Sequence, residues 1–119
     1  MRTSELTDAA LDWAVAKCMG QENCWMHDYK LGYPVSISTD WAQGGPIIER
    51  EELATSKTPG GLWYAYFPDG TRWIPRSQEG KEVFNWSGRQ SGPTPLIAAM
   101  RCYVGSKLGN EVDVPEELT

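Results

Sequence analysis

The chain has 119 residues, enough for one core of two or three layers and too few for two domains. Its formal net charge of −5 and pI near 4.8 argue against a plain DNA-backbone binder, so non-specific nucleic-acid binding is not expected. Hydrophobic residues make up 40%, and six tryptophans and five tyrosines carry much of that share, so a few large rings must fill a small core or form a binding surface. No window reaches membrane-spanning length, and "MRTSELTDAALDWAV" lacks a basic segment followed by an apolar run. Three cysteines, an odd number, suit free thiols, and the expected compartment is the cytosol.

Residues 7–20 read as a helix with both ends marked. Thr7 suits the N-cap, Leu6 and Leu11 sit at the positions of a hydrophobic staple, and Gly20 suits the stop. Leu11, Ala14, Val15 and Cys18 form an apolar stripe at helical spacing, with Trp13 off its centre. Residues 21–37 are mixed and punctuated by Gly32 and Pro34; "YPVSI" suggests a short strand with Tyr33, Val35 and Ile37 on one face. Ser38, Thr39 and Asp40 are all N-cap types, and Trp41 would start a helical turn. Gly44 and Gly45 oppose a long helix, and Pro46 suits the first position of a second piece, "PIIEREEL". Two short helical pieces joined by a glycine hinge are expected, followed by an exposed connector over 54–61.

Residues 62–74, "LWYAYFPDGTRWI", carry the clearest β signal, two alternating aromatic runs around Pro68-Asp69-Gly70. Trp63, Ala65 and Phe67 would share one face, and Tyr64 and Tyr66 the other. "EVFNWS", 82–87, alternates again as a third strand. The final helix is marked by Thr94 as cap, Pro95 as first residue and Gly109 as stop. Its core stripe is Ile97, Met100, Val104 and Leu108, beside a strip of small residues, Ala98, Cys102 and Gly105. The expected fold is α/β (α+β): a small antiparallel sheet of three or four strands packed by an N-terminal and a C-terminal helix, with a short helical segment after residue 39. One domain spans 1–119, ending in a partly ordered acidic tail over 110–119.

Three stretches, "LTDAALDWAVAK", "STDWAQGGPIIERE" and "GPTPLIAAMRCYVGSKLG", together resemble a family of small bacteriophage proteins of unknown function that includes the NinX proteins of lambdoid phages. The chain is also similar to a broader set of phage domains described as α/β/α sandwiches, in which the "STD" motif usually begins an uninterrupted helix. The resemblance implies a phage-encoded accessory protein with no established catalytic residues. It also implies a class that often counters host defence, by sequestering a nucleotide signal or by binding a defence protein.

Chemistry-bearing residues are few. Cys18, Cys24, His27 and Cys102 are numerically a zinc set, but no C-x-x-C spacing supports it, and Cys18 and Cys102 each fit a packing role. Cys24 and His27 alone do not make a nucleophilic pair, and Asp12, Asp40, Glu49 and Glu51 are ordinary helix-surface acids. No phosphate loop, zinc-protease motif or nucleophile elbow is present, so neither an enzyme nor a cofactor is expected.

A binding site has more support. Ser91-Gly92-Pro93-Thr94-Pro95 leads into a helix N-terminus suited to a phosphate or carboxylate, with Arg89 close by. Arg72, Arg76 and Arg101 fall in the same half of the chain and could add to a local cationic pocket. Ser38, Thr39 and Asp40 make a second polar helix entry beside Trp41 and the pair Gly44 and Gly45, where an aromatic face would suit a base or ribose; the alternative places Trp41 as a lid on the core. The expected ligand is small, anionic and nucleotide-like, and the expected setting is the host cytoplasm, with no membrane partner. The alternative is an inhibitor or regulator that meets a host protein through an aromatic and acidic surface. Sheet edges and aromatic surface also invite a homodimer.

Overall fold

A computed structural model describes residues 1–33, 35–67, 89–109 and 111–118. Among them are four α-helices and a three-stranded antiparallel sheet: α1 (Asp8–Cys18), α2 (Glu22–Lys30), α3 (Trp41–Glu51), β1 (Ala54–Lys57), β2 (Trp63–Tyr66), β3 (Gln90–Gly92) and α4 (Pro95–Leu108). The expected turn at Pro68-Asp69-Gly70, the second run up to Ile74 and the strand over 82–87 lie outside the described residues, as do Arg72 and Arg76.

Both terminal helices form where local signals place them. Thr94 caps α4 by accepting the Ile97 N–H at 3.1 Å, Pro95 opens it, and Gly109 closes it at φ +86. In α1 the staple pair Leu6 and Leu11 is wholly buried, although the Thr7 side chain makes no cap bond. From Leu96 to Gly105 only Ile97 is not fully buried, so α4 is the centre of the molecule rather than a cover over it. The sheet packs on α4, and α1 and α3 reach the same helix from other sides. The small residues Ala98, Ala99, Cys102 and Gly105 permit this crowding.

The sheet uses less obvious strands. β2 lies in the centre in the order β1-β2-β3, with Ser56 opposite Tyr64 on one side and Ser91 opposite Tyr64 on the other. Ala65 and Phe67 are buried on one face, as alternation predicts. The segment expected as an exposed connector is instead β1 and the turn joining it to β2. There Thr58 N–H donates to Leu62 O at 2.8 Å, and Gly61 sits at φ +97, a conformation glycine supplies without strain. β3 takes residues expected as a loop into the last helix.

Two further corrections concern helices. Residues 22–30, left without a helix by their mixed pattern, form α2. Trp25 is buried there, stacks on Tyr29 one turn on at 4.9 Å, and donates its indole N–H to Val35 O at 3.1 Å. The described residues of "YPVSI" are not in a strand. The expected glycine hinge is absent: α3 runs unbroken through Gly44, Gly45 and Pro46. Asp40 caps it, its carboxylate accepting from Ala42 N–H at 3.0 Å and from Gln43 Nε2 at 2.9 Å. Pro46 removes the bond to the Ala42 carbonyl, but Ala42 is exposed and water can replace it. Gly44 is there for packing. A Cβ on it would stand 2.6 Å from Ile37 O and 2.6 Å from Leu96 Cδ1.

Residues 111–118 run back along the start of the chain. Met1 and Val112 exchange backbone hydrogen bonds at 3.0 and 2.9 Å, Thr3 Oγ1 donates to Gly109 O at 2.6 Å, and Lys30 pairs with Glu117 at 3.2 Å.

Gly44→Ala should therefore lower stability by about 1–3 kcal/mol in urea unfolding, because backbone and core must move to admit one methyl. Gly45→Ala meets only Trp41 Cε3, at 3.7 Å. Its helix-propensity gain is set against the restriction before proline, so its change should stay within about 1 kcal/mol. Equal losses in the two variants would restore the hinge.

Candidate functional site

The residues singled out in sequence separate into structural and surface groups. Ser38 is fully buried, and its N–H donates to Asp12 Oδ1 at 2.7 Å. Asp12, expected as a surface acid, is only 6% exposed and holds the entry to α3 against α1. Burial pushes its carboxyl upward, contact with Ser38 opposes this, and the Asp8 charge adds a smaller rise. Asp40 and Thr94 are occupied as helix caps, and Gly44 and Gly45 lie within α3. Trp41 is 54% exposed, so it is not a lid on the core.

Arg89 and Ser91 come together at a cleft of about 510 Å³ between the sheet and the start of the chain, lined also by Arg2, Ser4, Tyr64 and Glu111. The Arg89 guanidinium stands over the Tyr64 ring, 4.4 Å from its centroid. An antiparallel bridge pairs Arg2 with Glu111, which brings the second guanidinium alongside. Among the described residues the one carboxylate in the lining, Glu111, is 3.5 Å from the Met1 ammonium. The described lining thus carries two guanidiniums and one carboxylate in an acidic chain. Sequence reasoning missed Arg2 and Tyr64 as residues of the same cleft as Arg89, because only chain-end pairing and the β2–β3 register bring them there.

Arg101 braces this cleft from behind. It is buried, with Nε donating to Leu6 O at 2.9 Å and Nη1 to Ser91 O at 2.7 Å. Burial pulls its guanidinium pKa downward, and the two carbonyls stabilise the cation. Its place is structural rather than in the pocket the sequence suggested.

Thr39 lines a second cleft, of about 340 Å³, with Asp8, Asp12, Trp25, Tyr29 and Tyr33. Trp41 lines neither cleft. Of the nine candidate residues, Thr39 thus lines one of these two clefts, and Arg89 and Ser91 the other.

The four zinc-set residues are also apart. Cys102 is buried in α4, Cys18 is half-buried on α1, and Cys24 is exposed. His27 is exposed, with Nδ1 3.6 Å from Asp28 Oδ1. Among the described residues no group of three or more His, Cys, Asp or Glu is placed to hold a metal ion. Burial pushes the Cys18 and Cys102 thiols up to about 12, which keeps both protonated and poorly nucleophilic.

A family model described as "Bacteriophage P22, NinX" matches residues 2–107. The match takes in the first two stretches that carry the resemblance and the third as far as Lys107, one residue short of the end of α4. No curated protein matches the chain.

Asp12→Ala leaves the Ser38 N–H without its acceptor and should cost about 1–3 kcal/mol, while Asp12→Asn keeps an acceptor and should cost less. The folded carboxyl titrates above its ordinary 3.8, so its stabilising effect is full below that pH and lost as pH rises through the folded value. The difference in urea midpoint between the native protein and Asp12→Asn should shift across that window; a constant difference would refute the burial effect. Thiol labelling followed by mass spectrometry should modify Cys24 first, with Cys18 and Cys102 reacting only on unfolding.

Proposed function

The chain belongs to the NinX family of bacteriophage proteins, and from that membership we propose that it serves as a non-catalytic accessory protein capturing a small anionic, nucleotide-like ligand. The observation that carries this reading is the cleft where Arg2 and Arg89 stand beside Tyr64 and Ser91. Two guanidiniums provide forked donors for phosphate or carboxylate oxygens. Tyr64 contributes an aromatic ring, Ser91 and Ser4 add hydroxyls, and the volume suits a small molecule. Capture in the host cytoplasm would withhold a nucleotide signal from host defence. No helix among the described residues is long and apolar enough to cross a membrane.

A second reading, contact with a host protein, is favoured by one feature. Trp41 is 54% exposed on the first turn of α3, beside exposed Ala42 and Pro46. A large ring presented to water is a common anchor at protein interfaces.

A thermal-shift screen against nucleotides, dinucleotide cofactors and cyclic nucleotides separates the two. A ligand at about 100 times its dissociation constant adds about 2.7 kcal/mol, which should raise the midpoint of a domain this size by about 10 °C. Arg89→Ala and Arg2→Ala should abolish the shift, and Trp41→Ala should leave it intact. A flat panel, or a shift that survives both arginine variants, would overturn the ligand reading and direct attention to Trp41.

A further inference from the structure

The second cleft is chemically the opposite of the arginine cleft. It lies between the start of α1, the α2 helix and the chain leading into α3, and among the described residues its lining contains two carboxylates, Asp8 and Asp12, and no lysine, arginine or histidine. Three aromatic residues contribute to the wall. Trp25 is held by its indole bond to Val35 O, Tyr29 stacks on it with planes 12° apart, and Tyr33 is 59% exposed. Asp12 is buried, and its Oδ1 accepts the Ser38 N–H at 2.7 Å. Asp8 holds φ +50, a left-handed conformation that L-residues avoid and Asp tolerates better than most, at the very residue that places a second carboxylate on the cleft.

We propose that this cleft binds a small organic cation carrying an alkylammonium group. Aromatic rings attract cations through the negative potential of their faces, and the alkyl part gains from covering the same surface. A carboxylate withdrawn from water acts on a nearby charge through a lower effective dielectric than a surface acid does. Asp12 supplies that buried anion, Asp8 a second and more exposed one, and Tyr29, Tyr33 and Trp25 the aromatic wall. A volume of about 340 Å³ is at the lower end of the small-ligand range, so a compact amine fits better than an extended one. The two clefts share no lining residue among those described, so the cation site does not depend on the anionic-ligand reading.

The test is titration of the full chain with tetramethylammonium chloride and with 1,4-diaminobutane at matched ionic strength, followed by two-dimensional amide NMR and calorimetry. Saturable binding of at least one probe is expected, with shifts centred on residues 8–12 and 25–39 and on the Trp25 indole N–H. Asp12→Asn, which keeps an acceptor for Ser38, should weaken binding about tenfold or more. Tyr33→Ala changes an exposed side chain and should weaken it severalfold without loss of fold. Arg89→Ala should leave it unchanged. No saturable shift with either probe, or affinities unaltered in both Asp12→Asn and Tyr33→Ala, would overturn the proposal.

Discussion

A helix with almost no face left for water requires neighbours on every side, and α4 is that helix. Its buried run from Leu96 to Gly105 accounts for the placement of the rest: the sheet on one side, α1 and α3 on others. Close approach sets two glycines. A Cβ on Gly92 would lie 3.0 Å from Ala98 N, and one on Gly44 would meet Leu96 Cδ1. Both mark points where a neighbour's backbone comes down onto α4. The hydrophobic effect drives the assembly, but these contacts decide its geometry.

Among the described residues the same centre contains one buried cation. Arg101 reaches from α4 to Leu6 O, just before α1, and to Ser91 O, on β3. One of those segments leads to Asp8 in the acidic cleft, and the other lines the arginine cleft. A single buried guanidinium thus ties together strands of chain that border two surfaces of opposite charge. Buried cations of this kind persist when carbonyls replace the lost water, and they specify an arrangement more than they add stability.

Charge segregation is the functional consequence of that frame. Arg2 and Arg89 face one cleft, and Asp8 and Asp12 the other. A net charge of −5 therefore says little about what either surface prefers. Residues that are alike in sequence also take different work: Asp40 caps a helix, Asp12 holds a buried backbone N–H, and Asp8 stands exposed at the mouth of a cleft.

Caps, staples and alternation were legible from sequence alone, because they act within one turn or between residues two apart. Thr94, Pro95 and Gly109 bounded α4, Leu6 and Leu11 marked α1, and the aromatic run marked β2. The similarity of three stretches to NinX proteins was also readable there, and the family match bears it out. What needed the tertiary structure was everything decided between distant residues. Glycine at 44 signals a hinge locally, yet Leu96 turns it into a packing contact inside a continuous helix. "ATSK" and "QSG" have little strand character of their own and become strands because β2 offers them its hydrogen-bonding edges. Arg2 comes to line the cleft of Arg89 through the pairing of the chain ends, a contact between residues too far apart in sequence for any local pattern to announce.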